Sequence, residues 1–361
     1  ESGLCKYGNY VITGGLGDIG RYLADFLIKN YQANLLLLAK TPLPEEKDWN
    51  RYLEELPTEF TSQKIQSVLN WRKQGAHVTV EVCDICDVQA VEEKVAEFEK
   101  IYGRIHGVFH TAGIKGEGLI RFKTKESSME VLKPKVWGTQ VLDRVFARRE
   151  LDIMMLFSSL ATITEDAGQA DYVAANRYLD AYADWAAKEY PGRKTISVHW
   201  DNWKNIGMAH RASLEKPNRS SFFEYALQPS QGTKIIEKVL SGRESQVIVS
   251  VQELRKRKQM GKKDNQEALV KNALQGTSIY DRPELSSEYA EPVTKLQKYL
   301  AKVWACAFSL KTVGIQDDFF ELGGDSLYAI GIVNELKKYY QIDMTDIYNY
   351  PTVQQLALKL E

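Results

Sequence analysis

Short apolar runs alternate with amphipathic stretches through residues 1–254. The apolar runs have the length of buried β-strands and lie at residues 10–13, 34–38, 77–82, 107–109, 151–157, 195–200 and 247–251. Between them, apolar residues recur with helical spacing at residues 21–29, 88–102 and 127–149. This alternation predicts an α/β fold with a parallel, doubly wound sheet, in which a ligand lies at the carboxyl ends of the strands.

Two polar segments interrupt this alternation. Residues 41–75 contain several prolines and are predicted to form a helix-prone insertion on the surface. The segment that begins at residue 201 is rich in Ser, Arg and Phe, and we expect it to act as a mobile lid. Four of its side chains are candidates for contact with a substrate: Trp203, Met208, Phe222 and Phe223. The alternative is a partly ordered loop with buried aromatic residues.

The pattern changes after residue 254. Basic residues without any acidic one occupy positions 255–263, which is typical of a solvated linker, although an acidic neighbour is an alternative reason for them. Farther on, apolar positions return at helical spacing and predict a small bundle of four helices. We therefore predict an α/β domain at residues 1–254, a linker at 255–287 and an all-α domain at 288–361.

The composition excludes some classes of function but identifies none. The chain of 361 residues has a formal net charge of -1, which gives it no global attraction to nucleic acid or to a membrane surface. Four scattered cysteines, Cys5, Cys83, Cys86 and Cys306, suit a reducing cytoplasm better than a disulfide framework. The CxxC pair has no second pair, so we predict no metal site. Because the chain starts with Glu1 and soon enters a strand, we expect a longer polypeptide upstream.

A glycine-rich turn, TGGLGDIG, joins the first predicted strand to the first helix. Gly15, Gly17 and Gly20 match the dinucleotide fingerprint, in which glycines allow a tight turn, a close approach of the pyrophosphate and close packing of helix on strand. The alternative is an ordinary glycine turn. The predicted cofactor contacts in this turn are Thr13, Gly14, Gly15, Leu16, Gly17, Ile19 and Gly20.

Two further residues follow strand ends on the same side of the sheet. Lys40 follows the second strand, where an NAD-binding site usually has an acidic residue for the ribose hydroxyl. A cation there suits the 2′-phosphate and favours NADPH, although a lysine on a loop is also often simply solvated. Asp84 follows the third strand and is placed to accept a hydrogen bond from the adenine amino group.

The stretch from residue 157 to 180 combines a serine, a phenol and an amide. Ser159 ends an apolar strand, while Tyr172 and Asn176 lie one turn apart on one face of a predicted helix. A phenol beside a hydroxyl can donate its proton to a carbonyl oxygen while a hydride arrives from elsewhere. Lys135 on the preceding helix can lower the pKa of this tyrosine, although taken alone it fits a surface lysine better.

Three stretches, TGGLGDIG, HTAG and GQADYVAAN, resemble the cofactor and catalytic motifs of the short-chain dehydrogenase/reductase superfamily. Over residues 6–254 the chain resembles its ketoreductase domains from modular polyketide synthases and hybrid polyketide/nonribosomal peptide synthetases. Most of the superfamily has a lysine four residues after the tyrosine, whereas here Asn176 follows Tyr172 and the lysine is Lys135 in KPKVWG. This exchange is the hallmark of synthase ketoreductases.

The resemblance implies a Rossmann-type sheet and a role for each catalytic residue. Tyr172 is then the acid, Ser159 orients the carbonyl, and Lys135 with Asn176 completes the proton relay. The HTAG turn adds two cofactor contacts, Ala112 and Gly113. In one stereochemical class of these domains an LDD sequence follows the HTAG turn, but residues 115–117 read KGE here. The other class usually has a tryptophan shortly before the tyrosine, and none occurs at 162–171. The handedness of the hydroxyl product therefore stays open, although Gln169 weakly favours the L-hydroxy class.

Residues 317–327, DDFFELGGDSL, resemble the attachment motif of acyl and peptidyl carrier proteins. Ser326 starts a predicted helix and should be accessible there. The resemblance implies that Ser326 carries 4′-phosphopantetheine, added by a phosphopantetheinyl transferase. The alternative is that Asp325 and Ser326 only cap the helix.

Together these features predict a ketoreductase joined to a carrier, which reduces a carrier-bound β-ketoacyl thioester with NADPH. One alternative is an α-ketoacyl substrate, as in a depsipeptide or hybrid line, and another is an idle ketoreductase that serves as a scaffold. Expected partners are the carrier-bound ketoacyl thioester and neighbouring synthase domains, namely a ketosynthase, an upstream structural subdomain and a condensation domain. We expect no nucleic acid and no membrane partner.

Overall fold

The computed structural model describes residues 2–116, 120, 123–164, 168–208, 210–211, 226–258 and 280–361. The chain divides into two compact units, residues 1–117 with 124–254, and residues 118–123 with 255–361. The predicted borders of the linker, 255 and 287, stay a prediction, and residues 259–279 between them lie outside the described part.

The larger unit is built on a seven-stranded parallel sheet with the order β3-β2-β1-β4-β5-β6-β7. The strand order runs outwards in both directions from β1 and β4, which creates a crevice at their carboxyl ends. The α/β, doubly wound, Rossmann-type fold is thereby confirmed. The strands are β1 (Asn9–Thr13), β2 (Asn34–Ala39), β3 (Val78–Val82), β4 (Gly107–His110), β5 (Ile153–Ser159), β6 (Lys194–Trp200) and β7 (Gln246–Val249).

Helices cover both faces of this sheet. Alternate strand residues point to opposite faces, so Tyr10 and Ile12 pack into one core while Val11 packs into the other. In addition to a short 3-10 helix at Glu46–Asp48, the helices are α1 (Asp18–Tyr31), α2 (Trp49–Glu55), α3 (Phe60–Lys73), α4 (Val88–Tyr102), α5 (Lys125–Phe146), α6 (Ala161–Thr164), α7 (Ala170–Glu189) and α8 (Pro229–Ser241).

Most of residues 41–75 are exposed or half-buried, as a surface insertion predicts, but one face of α3 is part of the core. Ile65, Val68 and Trp71 are buried on one face of α3 and pack against the first core. Trp71 is 1% exposed, and its Nε1 donates a hydrogen bond to Asp25 Oδ1 on α1 at 2.5 Å. The buried face of α3 is narrow, and the many polar residues around it concealed its role in the sequence pattern.

The smaller unit is a bundle of four helices within the described residues, as predicted. They are α9 (Lys295–Phe308), α10 (Ser326–Leu336), α11 (Met344–Asn349) and α12 (Val353–Leu360). Trp304, Phe308 and Phe319 form the aromatic centre of its core. Arg282 also belongs to this unit, because its guanidinium lies 2.8 Å from the fully buried carboxylate of Asp317.

Replacement of Trp71 tests the role of α3 in the core. We expect Trp71→Ala to lower the free energy of unfolding of the larger unit by about 3–5 kcal/mol, because it leaves a cavity and an unpaired Asp25 carboxylate. The measurement is urea unfolding followed by far-ultraviolet circular dichroism. The control is Trp185→Ala, which removes a tryptophan that is 47% exposed. Equal effects of the two substitutions would contradict the assignment of α3 to the core.

Candidate functional site

The glycine-rich turn follows β1 and leads directly into α1. Gly14 has a φ of +65°, which a side chain would strain, and it lies against the Ala112 backbone. A Cβ at Gly20 would lie only 2.5 Å from Gly14 O, so the helix and the turn can approach only without side chains. The first turn of α1 therefore presents its amide groups at the carboxyl edge of the sheet, where a phosphate can bind.

A cleft of ≈ 190 Å³ opens over this turn. Eight of the predicted cofactor residues line it: Gly14, Leu16, Gly17, Ile19, Gly20, Lys40, Ala112 and Gly113. The other lining residues, which the sequence did not single out for this cleft, are Asp18, Ala39, Thr41, Phe60, Lys64, Thr111, Gly207, Met208 and Arg211. The lining combines the glycine turn, the carboxyl end of β2 and several cationic side chains, so it fits the phosphate groups of a dinucleotide.

Thr13, Gly15 and Asp84 are not among the residues that line this cleft. Thr13 is buried behind it, where its hydroxyl lies 2.7 Å from His110 Nδ1 and its carbonyl oxygen accepts a hydrogen bond from the Thr111 hydroxyl at 2.7 Å. Thr13 thus joins the glycine turn to the HTAG turn. Gly15 packs against Leu37, where a Cβ would lie 2.7 Å from the Leu37 Cβ.

Lys40 and Asp84 are neighbours at the ends of β2 and β3. The Lys40 Nζ lies 3.6 Å from Asp84 Oδ2 and 4.0 Å from Glu130 Oε2. The backbone N–H of Cys86 donates to the Asp84 carboxylate, which lowers the pKa of Asp84, and Lys40 lowers it further. The positive charge of Lys40 is therefore already shared between two carboxylates, although its side chain is 65% exposed.

Ser159, Tyr172 and Asn176 form one group at the end of β5. Burial raises the pKa of the Tyr172 phenol, while hydrogen bonds with the side chains of Ser159 and Asn176 oppose this rise. Asn176 Nδ2 donates to the Tyr172 carbonyl oxygen at 2.7 Å. Asn176 Oδ1 is buried and has no hydrogen-bond partner among the described residues. The group can therefore donate a proton and accept a further hydrogen bond.

Lys135 is buried on α5 and is not a surface lysine. Its Nζ donates to the carbonyl oxygen of Phe157, at the end of β5, at 2.6 Å. Burial lowers the pKa of Lys135 to about 8, and the charge of Asp180 opposes this shift. Gly113 makes room for the lysine, because a Cβ at Gly113 would lie 2.9 Å from the Lys135 Cε.

The four candidate lid residues have different environments. Trp203 is 4% exposed and packs against Trp200 and Gly232 in the core, so it does not serve as a lid contact. Met208 lines the cleft. Phe222 and Phe223 lie outside the described residues.

The two cysteines of the CxxC pair are free thiols. Burial raises the pKa of both Cys83 and Cys86 to about 11, which disfavours the thiolate that metals and redox chemistry require. Among the described residues, no group of three or more His, Cys, Asp or Glu side chains is arranged to hold a metal ion. Nor does any helix in this part of the chain have the length and hydrophobicity to cross a membrane.

In the smaller unit, Ser326 is exposed at the first residue of α10. The preceding turn requires glycine, since Gly323 has a φ of +89° and a Cβ at Gly324 would lie 2.4 Å from Phe319 O. The carboxylate of Asp325 accepts a hydrogen bond from the N–H of Tyr328 at 3.1 Å. Asp325 thus caps the helix, and this leaves the Ser326 hydroxyl on the surface.

The fold and the two sites define a Rossmann-like α/β domain followed by a helical carrier domain. The chain belongs to the KR domain family, whose model matches residues 8–205. A second family model, the phosphopantetheine attachment site, matches residues 295–360. Ketoreductase and carrier, the two parts expected from the sequence motifs, are thereby confirmed.

Several of the relatives are polyketide synthases. Polyketide synthase PksM of Bacillus subtilis is 28% identical over 99% of this chain, and a phenolphthiocerol/phthiocerol polyketide synthase of Mycobacterium tuberculosis is 31% identical over 96%. The chain spans only 8% and 18%, respectively, of these relatives. The crystal structure of a ketoreductase domain from the bacillaene assembly line is 28% identical and has a TM-score of 0.58, covering 70% of this chain and 58% of that one.

The pH dependence of stability tests the burial of His110 behind the glycine turn. Burial and the nearby Lys135 lower the pKa of His110 to about 3. Between pH 6.5 and that value the unfolded chain binds a proton at this residue and the folded chain does not, so stability decreases as the pH falls. We expect a contribution of up to about 1.4 kcal/mol per pH unit.

The measurement is the free energy of urea unfolding at pH 7, 6 and 5 for the wild type and His110→Gln. The variant should show a smaller loss of stability towards pH 5. The same slope in both proteins would contradict a histidine that stays neutral when folded.

Proposed function

We propose that the larger unit reduces a β-ketoacyl thioester on a carrier to the hydroxyacyl thioester with NADPH, within a modular polyketide synthase or a hybrid line. The observation that carries this proposal is the group formed by Ser159, Tyr172 and Asn176. The buried Lys135 packs against Gly113 of the HTAG turn, and the glycine turn contacts the same turn. Membership of the KR domain family and the adjoining carrier support ketoacyl reduction on a carrier.

The proposed mechanism transfers a hydride to the ketone carbon and a proton to its oxygen. NADPH, when bound, supplies the hydride, and the glycine turn with the cleft-lining residues would hold it. Burial keeps Tyr172 protonated near neutral pH, so its phenol can donate the proton, while the Ser159 hydroxyl donates a hydrogen bond to the same ketone oxygen.

The phenolate left on Tyr172 has to be stabilised and then protonated again. The Lys135 Nζ, bonded to the Phe157 carbonyl oxygen two residues before Ser159, would supply a positive charge to this site, and its pKa of about 8 keeps it largely charged at neutral pH. The Asn176 side chain favours the same anion, and the Ser159 hydroxyl does so until it turns to the ketone oxygen. Asn176 Oδ1, without a partner among the described residues, can accept a hydrogen bond from the group that returns the proton.

The carrier supplies the substrate in this proposal. Ser326 is exposed on the helix start and would carry 4′-phosphopantetheine, attached by a phosphopantetheinyl transferase. Tethering raises the effective concentration of the ketoacyl group and reduces the need for tight binding of a free substrate. Further proposed partners are a ketosynthase, an upstream structural subdomain and a condensation domain. The proposed compartment is the cytoplasm, because the four cysteines are free thiols.

Removal of the Tyr172 hydroxyl tests the proposed acid. We expect Tyr172→Phe to lower the rate of reduction at least about 100-fold, the usual contribution of a general acid, and to leave NADPH binding unchanged. The measurement is NADPH consumption with a ketoacyl pantetheine thioester, with binding followed by fluorescence titration. Tyr178→Phe, on the same helix, should retain activity. Wild-type activity of Tyr172→Phe would refute the assignment.

Loading of the carrier tests the attachment site and the substrate class. We expect a phosphopantetheinyl transferase to attach one pantetheine arm to the wild type and none to Ser326→Ala, as measured by intact mass. After loading with matched β-ketoacyl and α-ketoacyl groups, NADPH should reduce the β-keto form. Reduction of the α-keto form alone would favour a depsipeptide or hybrid line, and no reduction of either would favour the scaffold alternative.

A further inference from the structure

Three cationic side chains surround the ring of Phe60 at the start of α3. The ring centre lies 4.1 Å from the Arg211 guanidinium, 4.6 Å from the Lys64 Nζ and 5.2 Å from the Arg21 guanidinium. An aromatic face attracts cations at these distances, so Phe60 helps to hold the three charges close together. We refer to Arg21, Phe60, Lys64 and Arg211 as the Phe60 cluster.

The Phe60 cluster carries three positive charges, which its surroundings compensate only in part. Asp18 compensates part of it, with Oδ1 3.0 Å from Arg21 Nη2 and Oδ2 3.4 Å from Arg211 Nε. Lys64 forms no ion pair within the part of the chain that the structure describes. Burial, followed by repulsion from Arg21 and Arg211, lowers the pKa of Lys64. Among the described residues, one carboxylate thus faces three cations, and an anion bound among them would relieve the repulsion.

The cluster borders the cleft above the glycine turn. Phe60, Lys64 and Arg211 line it together with residues 16–20 at the start of α1 and residues 39–41 at the end of β2. The amide groups at the start of a helix favour a phosphate, and arginine and lysine add charge-assisted hydrogen bonds to its oxygens. The anion that fits this place is therefore a phosphate group.

Lys40, the cation expected from the sequence to bind the 2′-phosphate, has a different charge environment. It lies near the carboxylates of Asp84 and Glu130, whereas the Phe60 cluster, which borders the same cleft, has an excess of positive charge. A phosphate that approaches Lys40 also meets these two carboxylates. Because less of its positive charge is compensated, the Phe60 cluster attracts a phosphate more strongly than Lys40 does.

We propose that Lys64 and Arg211, held by Phe60 and Arg21, bind a phosphate group of the nicotinamide dinucleotide. This inference rests on the proposed function, which places that dinucleotide in the cleft. Two parts of the cofactor share the required chemistry. The pyrophosphate would lie at the start of α1, and the 2′-phosphate of NADPH would lie near the end of β2.

Binding measurements on the full chain test this inference without any need for catalysis. The variants are Lys64→Gln and Arg211→Gln, and the control is Lys73→Gln, which removes the same charge from the far end of α3, away from the cleft. Dissociation constants for NADPH, NADH and 2′,5′-ADP are measured by isothermal titration calorimetry. We expect each cluster variant to bind NADPH roughly tenfold more weakly, as the loss of one charge-assisted hydrogen bond implies. The control should bind as the wild type does.

The three probes distinguish the two phosphates. Equal loss of NADPH and NADH affinity would assign the cluster to the pyrophosphate, and loss confined to NADPH and 2′,5′-ADP would assign it to the 2′-phosphate. Variants that bind all three probes as tightly as Lys73→Gln would overturn the inference and leave the proposed function intact. A wild type that binds neither dinucleotide would overturn the proposed function and this inference with it.

Discussion

The larger site depends on the parallel pairing of β1 with β4 at their carboxyl ends. Thr13 is in register with His110, and both are fully buried. The hydroxyl of Thr13 bonds to His110 and also accepts a hydrogen bond from the N–H of Ala112, at 3.3 Å. These bonds hold the glycine turn against the HTAG turn, with Gly14 and Ala112 in backbone contact. A change in this register would separate the two turns that border the cleft.

Burial of ionisable groups is the second physical feature of this site. Desolvation favours the neutral form, so it raises the pKa of Tyr172 and lowers those of Lys135 and His110. The effect suits each residue's proposed task, because the phenol retains its proton while the lysine stays close to its titration range. His110 remains neutral beside Lys135, and this avoids a second positive charge next to the lysine.

The two units use exposure in opposite ways. In the larger unit, Lys135 and Asn176 are buried and Ser159 and Tyr172 are half-buried, and a hydrogen bond is stronger where the local dielectric is low. In the smaller unit, Phe319 and the aromatic core support a tight glycine turn that leaves Ser326 on the surface. A residue that another protein must modify has to be accessible, whereas a residue that donates a proton benefits from burial.

Local sequence pattern was sufficient for the strands and for most of the motifs. The seven strands were readable because buried strands are short apolar runs, and the glycine turn was readable because backbone geometry there excludes side chains. Ser159, Tyr172 and Asn176 could be grouped because a strand end and a helix face are local features. Their assigned roles remain predictions, as does the role of Ser326.

The tertiary structure decided what depends on residues that are distant in the sequence. The burial of Lys135 depends on its contact with β5, which follows it by some twenty residues, and this contact lowers its pKa. The Phe60 cluster joins α1, α3 and the segment after β6, so no local pattern could reveal it. Trp71 and Trp203 were assigned to the surface or to a lid because the sequence shows their neighbours along the chain and not the core against which they pack. Hydrophobic periodicity reports which face of an element is apolar, whereas charge compensation and desolvation depend on the distances between elements, and only the folded chain sets those distances.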